Sequence, residues 1–330
     1  MNIPGIDVSK NKLGCVLLTS SAPDKELYKK VPNTPVGFRQ LITWSCKKAR
    51  CESAQIHAVT EATGPYHENA ALALYQAGMR ISVINPARIK HFAKGIGVKA
   101  KNDKKDASVI ARSGLMNKPP LWKPEPAEYR ELRAMPGRPE ALETDIRREK
   151  NRLEKIRAGR ATETAEASLN RVIIFLREEK KSLRKQVRNH IDNHPNLKKD
   201  RSFLESVPGI GPVVSSWMLV LLQGGKRFDA APKAASYVGL TPTEHQSGSS
   251  VLKRPRLSKA GPPVFRAKLY MAAMVAARYN PDAKELYQRL IEKGKAKMPA
   301  LGAVMRKLVH ICFGVIKNQA KYTSQVKNEG

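Results

Sequence analysis

Short β-forming runs alternate with stretches of helical spacing through the first 115 residues, and no other feature narrows the fold as far. "GIDVSKNKLGCVLL" alternates apolar and polar residues around a glycine, and "AQIHAVTEATG" and "MRISVIN" repeat that strand character ahead of turn residues. Between them, "TPVGFRQLITWSCKKA" and "YHENAALALYQAG" place apolar residues at helical intervals. This order predicts an α/β domain with a mostly open sheet. "NPARIKHFAKGIGVKAKNDKKDASVIARSGL" reads as a turn, a basic glycine-containing loop, and a helix from about Asp103 to Leu115.

The proline-rich "NKPPLWKPEPAEY" then predicts a surface linker. From about 128 to 194 the chain is charged and mostly helical, with Leu169, Leu176 and Leu183 seven residues apart and Lys180 interrupting the second row. That short seam suits a coiled-coil dimer contact or a helix packed on its own domain. "AMPGRPEAL", with Pro136, Gly137 and Pro139, breaks the helix near its start. After Phe203, "VPGIGPVVSSWMLVLL" places Gly209 and Gly211 in a tight turn before an apolar helix. It fits a helix-hairpin-helix element, whose backbone N–H groups hold phosphate, as well as a plain αα-hairpin. Three parts follow: 1–125, 126–195 and a mainly helical 196–330.

A formal charge of +31 on 330 residues exceeds what solubility requires and predicts a polyanionic partner. Residues 251–330 alone carry 17 Lys/Arg against 4 Asp/Glu, a net +13. With no apolar run of about 18 residues and no signal peptide, the expectation is no membrane and an intracellular, nucleoid-associated protein that binds nucleic acid. Cys15, Cys46, Cys51 and Cys312 show no metal or disulfide spacing, and His190 and His194 read as an exposed helix face.

Carboxylates in so basic a chain point to metal. Asp7 lies in the first strand and Glu61 ends another, while Asp103 and Asp106 share one helix face at a spacing of three. Converging hard oxygen ligands would suit Mg²⁺. Spacing alone leaves Asp103 equally readable as a helix N-cap and Asp106 as part of a solvated charge run.

Taken in order, "GIDVSK", "EATGPY", "INPARIKHFAKGIGVKAKNDKKDA", "VPGIG", "GLTP" and "SGSS…LSKAG…FRAKLYMAAM" resemble the motifs of the insertion-sequence transposases that include the Piv-type DNA invertases and the bridge-RNA-guided recombinases. The resemblance is weakest from about 125 to 195. It implies a ribonuclease-H-like (RuvC-like) N-terminal domain in which Asp7, Glu61, Asp103 and Asp106 bind Mg²⁺. It also implies a C-terminal transposase domain whose serine attacks DNA, and the first serine of the "SG" motif falls on Ser247. Donor and target DNA, a noncoding bridge RNA and a homo-oligomer, dimer or tetramer, are the partners implied.

A serine hydroxyl needs activation by a base or by cations that stabilise its alkoxide. Gly248 would let the loop approach the DNA backbone, and Lys253, Arg254, Arg256 and Lys259 would neutralise phosphates. Arg266 would clamp a phosphate in bidentate fashion. Apart from the resemblance, the cluster reads as a turn whose hydroxyls bond local backbone, and Ser249 or Ser250 could replace Ser247. Two rival readings stand beside a recombinase: a hydrolytic nuclease in which water attacks, and a non-catalytic RNA-binding protein.

Overall fold

A computed structural model describes residues 1–98, 102–159, 163–247 and 251–326, with backbone alone at 23–24, 244–247 and 251–255. The chain divides into two compact units, Met1–Pro124 and Glu125–Gly330.

In the first unit the run "GIDVSKNKLGCVLL" is two strands joined by a tight turn, β1 (Ile3–Val8) and β2 (Lys12–Thr19). A third strand, β3 (Ala22–Pro32), follows, unread from sequence because its charged residues mask the alternation. Then come α1 (Pro35–Ala49), β4 (His57–Glu61), α2 (Glu68–Gln76), β5 (Arg80–Ile84), α3 (Pro86–Gly95) and α4 (Asp103–Asn117). The sheet order is β3-β2-β1-β4-β5; β2 runs antiparallel to both of its neighbours, β1 and β3, while β4 runs parallel to β1 and β5 parallel to β4.

Alternation assigns each strand two faces. Ile6, Val8, Leu13 and Cys15 pack with Phe38 and Leu41 of α1 and Leu74 of α2. Ile3, Val16, Leu18 and Val59 pack on the other face with Ala107, Ile110 and Ala111 of α4. Where the sequence predicted a turn and a basic loop, the Asn85 side chain accepts from the Ala87 N–H and Pro86 takes the first helical position, so α3 forms directly. The proline linker is tied down as well. Buried Ser82 donates to the carbonyls of Pro119 (3.1 Å) and Pro120 (2.8 Å) and meets His57 Nε2 at 2.8 Å.

The second unit begins with α5 (Ala127–Ala134), α6 (Gly137–Ala158), α7 (Glu163–Asn193), α8 (Pro195–Glu205), α9 (Pro212–Leu222) and α10 (Ala231–Tyr237). It continues with a two-stranded hairpin, β6 (Pro242–Ser247) and β7 (Val251–Leu257), then α11 (Pro263–Tyr279), α12 (Pro281–Glu292) and α13 (Lys297–Asn318). The segment expected to be a loop around the serines is therefore largely this hairpin, paired Gln246 to Leu252 and Ser247 to Val251, with its tip, 248–250, outside the described residues.

The prolines at 136 and 139 end α5 and open α6. The heptad face of α7 packs on α6: Ile173 and Val187 are buried, Leu169, Leu176 and Leu183 half-buried. Arg157–Glu166 and Lys180–Glu143 ion pairs fix this pair as antiparallel, and the second gives the interrupting Lys180 a partner at 2.6 Å. His190 is not an exposed residue: its side chain is 11% exposed and Nε2 lies 2.9 Å from the Glu128 carbonyl oxygen, because α5 covers that face of α7. Among the described residues one helix, α13, is long and apolar enough to cross a membrane, but Val304, Leu308, Val309 and Cys312 on it are buried in this unit's core, as in the core helix of a globular unit.

Candidate active site

α4 crosses β1 with no room for a side chain between them. A Cβ on Gly5 would lie 2.2 Å from the Ala111 nitrogen and 2.4 Å from the Ala107 oxygen. At one end of the crossing, the Gly114 Cβ position lies 2.6 Å from Val59 Cγ2. At the other, Gly14 of β2 faces Asp103, whose Cβ would be 3.7 Å from a Cβ on that glycine. Gly14 pairs with Asp7, and Ile6 pairs with Thr60, so Asp7 and Glu61 are the next residues along neighbouring parallel strands. By alternation both share the α4 face with Gly5 and Val59.

The helix start is set by Asn102, not Asp103: the Asn102 side chain accepts from the Lys105 N–H at 2.8 Å. Asp103 and Asp106 therefore stand in the first turn, half-buried on the sheet side, while Lys104 and Lys105 face solvent. Three acidic residues from β1, β4 and α4 thus occupy one end of the sheet on one face, with Asp106 a turn further along the helix.

The sequence did not flag the groups around them. Lys12 Nζ donates to Asp103 Oδ2 at 2.6 Å, and Lys30 Nζ is 3.8 Å from the same oxygen. The bond from Lys12 holds the Asp103 carboxyl below its usual range, and Asp103 in turn raises Lys12. Tyr28 on β3 lies among these groups: burial first, then the Asp103 charge, push its phenol up, and Asp7 adds to the effect. Tyr28 and Lys30 sit on the strand that composition concealed.

Beyond the helix start lies a cavity of about 970 Å³ lined by Glu26, Asn102, Asp103, Lys105, Ser108 and Arg112. Burial is the largest influence on Glu26 and pushes its carboxyl up, yet hydrogen bonds from Ser108 (2.5 Å) and Arg112 (3.0 Å) prevail and leave it below the usual range. Among the described residues, no three His, Cys, Asp or Glu side chains stand close enough together to hold a metal ion. The donor type fits a hard divalent cation, whereas Asp103 is engaged by ammonium groups.

In the second unit Ser247 is the last residue of β6, and only its backbone and those of Lys253 and Arg254 are described. Gly248, Ser249 and Ser250 lie outside the described residues, while Arg256 and Lys259 are exposed. The hairpin leaves the body at a crossing of two segments. Ser258 N–H donates to the Thr241 carbonyl (2.9 Å) and Lys259 N–H to the Gly239 carbonyl (3.2 Å). Arg266 on α11 gives a different result from the free phosphate clamp expected. Its Nη1 donates to the carbonyls of Val238 (2.9 Å), Ala260 (3.2 Å) and Gly261 (3.2 Å), because the helix start brings the guanidinium under that crossing.

Gly209 does not face outward as a phosphate-binding turn would. At φ +100 its Cβ position lies 2.9 Å from Ala276 Cβ and 3.0 Å from the Ala272 oxygen, so it serves close packing on α11. Gly211 is open and precedes α9, but Pro212 at the first helical position withholds one N–H from any anion there.

Two family models match the chain: a DEDD-type IS110 transposase model over residues 4–156, and the transposase IS116/IS110/IS902 family over residues 201–288. The pilin gene-inverting protein of Moraxella lacunata is 30% identical over 324 residues, covering 98% of each chain. That of Moraxella bovis is 29% identical over the same length and coverage. Among solved structures, T. thermophilus RuvC in complex with a Holliday junction substrate matches at 16% identity, covering 37% of this chain and 99% of that one. Its TM-score is 0.27.

Proposed function

The chain belongs to the IS116/IS110/IS902 family of transposases, and from that premise we propose that it is a DNA recombinase that cleaves and rejoins strands through a covalent phosphoserine at Ser247. The observation that carries the proposal is the gathering of Asp7, Glu61 and Asp103 at one end of the sheet, on the α4 face. Their side chains do not stand close enough together to hold an ion as they are, but hard oxygen donors on one face of a +31 chain suit a divalent cation brought with phosphate.

Asp7, Glu61, Asp103 and Asp106 would hold divalent metal, Mg²⁺ in the simplest case, which stabilises charge on phosphate oxygens when bound. The strand order, with three antiparallel strands followed by two parallel ones, supports a ribonuclease-H-like (RuvC-like) domain over 1–125. The helical segment 126–195 would join it to a transposase domain over 196–330 and offer the contact for an oligomer.

In the step assigned to Ser247, its Oγ gives up a proton and forms a bond to the scissile phosphorus. The bond from phosphorus to a deoxyribose oxygen breaks, and that oxygen takes a proton to become a free hydroxyl. Attack by a hydroxyl of the second DNA reverses the step and frees the serine, so the phosphodiester bond is exchanged without a nucleotide cofactor. Lys253, Arg254, Arg256 and Lys259 would neutralise DNA phosphates near the hairpin, with Gly211 as a further backbone contact. The excess charge spread along the chain also suits a structured guide RNA that pairs with donor and target. The relatives named for pilin gene inversion suggest that inversion of a DNA segment is within the reaction's range.

The test incubates the protein, with RNA transcribed from its flanking DNA, with labelled junction DNA and Mg²⁺, and looks for a denaturant-resistant protein–DNA adduct. The adduct is expected with the native chain and absent in Ser247→Ala. Cleaved DNA without an adduct in either protein would instead identify a hydrolytic nuclease. Recombination that survives Asp103→Asn and Asp106→Asn would remove the metal set from the reaction.

A further inference from the structure

The hairpin that carries Ser247 meets the second unit's core at its root, where Leu257 packs against it. An isolated two-stranded hairpin is marginally stable in water, and among the described residues its sheet consists of β6 and β7. Its orientation is therefore set where it leaves the body. There the chain crosses itself backbone to backbone. Gly239 (φ +74) has a Cβ position 2.3 Å from the Ala260 oxygen, and Gly261 (φ +80) has one 1.9 Å from the Tyr237 oxygen. Neither place accepts a side chain, and Lys259 between them is in the left-handed region at φ 52.

Such a crossing turns the carbonyls of Val238, Ala260 and Gly261 toward one point. Three carbonyl dipoles converging on one point repel each other unless a cation stands among them. The Arg266 guanidinium is that cation, with one nitrogen, Nη1, within 3.2 Å of all three oxygens. We propose that Arg266 is a positioning residue that locks the root of the β6–β7 hairpin to α11 and thereby aims Ser247. The aiming half of this statement rests on the serine reading above; the locking half does not.

The geometry makes the lock consequential. Five residue steps of extended strand lead from Pro242 to Ser247, a lever of roughly 17 Å at about 3.3 Å per residue. A tilt of ~10° at the root would then carry the tip through roughly 3 Å, and a misplacement of about 1 Å at a reacting atom can cost on the order of 100-fold in rate. Loss of the guanidinium should therefore slow attack far more than it weakens DNA binding.

The experiment compares the full-length native chain with Arg266→Met, which keeps the stem and removes the donors, and Arg266→Lys, which keeps a cation of similar reach. Amide exchange across 238–262 is measured first in the DNA-free protein, with thermal melting to verify folding. Arg266→Met should exchange ~10- to 100-fold faster there, as expected for losing hydrogen bonds from a charged donor, while the rest of the chain is unchanged. Arg266→Lys should stay within about 3-fold of native. Adduct formation under single turnover should fall ~10- to 100-fold in Arg266→Met while DNA affinity stays within ~3-fold, and recover in Arg266→Lys. Unchanged exchange in DNA-free Arg266→Met overturns the proposal, and if DNA affinity and its salt slope then fall, Arg266 is a phosphate clamp. Should Arg266→Met fail to fold, Arg266→Lys decides: loss of protection in that variant also overturns it. An adduct that persists in Ser247→Ala would refute the serine reading and leave the exchange result to judge the lock alone.

Discussion

Replacing Gly5 by alanine adds one methyl group at the point where α4 meets the sheet. That methyl carbon would sit 2.2 Å from the Ala111 nitrogen, 2.4 Å from the Ala107 oxygen and 2.6 Å from the Ala111 Cα, all of them backbone atoms. Ordinary contact begins near 3.4 Å, so the helix must retreat by about 1 Å, and no side chain can rotate to relieve the clash. Overpacking of this kind costs about 1–3 kcal/mol, and a clash with backbone on both sides belongs at the upper end. For a unit of 124 residues, each kcal/mol shifts the midpoint by roughly 3–6 °C, which gives a fall of ~10–20 °C. Because the chain has two units, melting should be followed by amide exchange over 3–19 and 103–117 and not by a single global signal. Gly95, with nothing within 4 Å of its Cβ position, is the control, and Gly95→Ala should melt like the native chain. The same retreat would draw Asp103 and Asp106 away from Asp7 and Glu61, so divalent-metal affinity should fall in Gly5→Ala even at temperatures where it is folded. A Gly5→Ala protein that melts with the native chain would refute the close crossing and, with it, the argument that gathers the carboxylates.

The Asp103 carboxyl is held below its usual 3.8 chiefly by Lys12, so their ion pair favours folding above that range and is lost as pH falls through the depressed value. Carboxyl NMR should find Asp103 titrating below 3.8 in the native chain and moving up in Lys12→Met; an unmoved titration would contradict the pairing. In the second unit, buried Asp200 accepts from the Tyr129 hydroxyl (2.9 Å) and from Gln319 Nε2 (3.0 Å). Tyr129→Phe leaves one of its oxygens short of a donor and should cost about 1–3 kcal/mol in denaturant unfolding followed by a second-unit probe, with less than half a kcal/mol, roughly, counting against the network. DNA affinity should drop steeply with salt, with a log–log slope of several units in fluorescence anisotropy; a slope of about one would mean that the basic surface is not what binds DNA.

How far the sequence reached differs between the two units. In the first, the positions of the four carboxylates were legible because strand ends and a helical i, i+3 pair are local patterns. Tyr28 and Lys30 were not, since β3 is rich in charge and is held in the sheet by its pairing with β2 and not by an apolar alternation of its own. Asn102 took the cap that Asp103 was equally entitled to, because the choice depends on which residue adopts the extended conformation at the helix start. In the second, the hairpin around Ser247 read as a loop. Its strands, "PTEHQS" and "VLKRPRL", lack the apolar–polar alternation by which a strand is recognised from sequence.

By itself the sequence determined what travels with residue type and short spacing: a strongly basic chain, an α/β beginning and helical remainder, a family likeness carried by ordered motifs, and an inventory of acids and serines. Tertiary structure alone decided which of those residues meet. Asp7, Glu61 and Asp103 share a face only because glycines 5 and 14 let α4 lie directly on the strands. Lys12 finds Asp103 across 91 residues of chain for the same reason. Arg266, chosen from sequence as a hand for phosphate, is drawn inward by three carbonyls that only the crossing at Gly239 and Gly261 brings together. Charge and periodicity act over a few residues, whereas close backbone approach and carbonyl convergence exist only once the chain has folded back on itself.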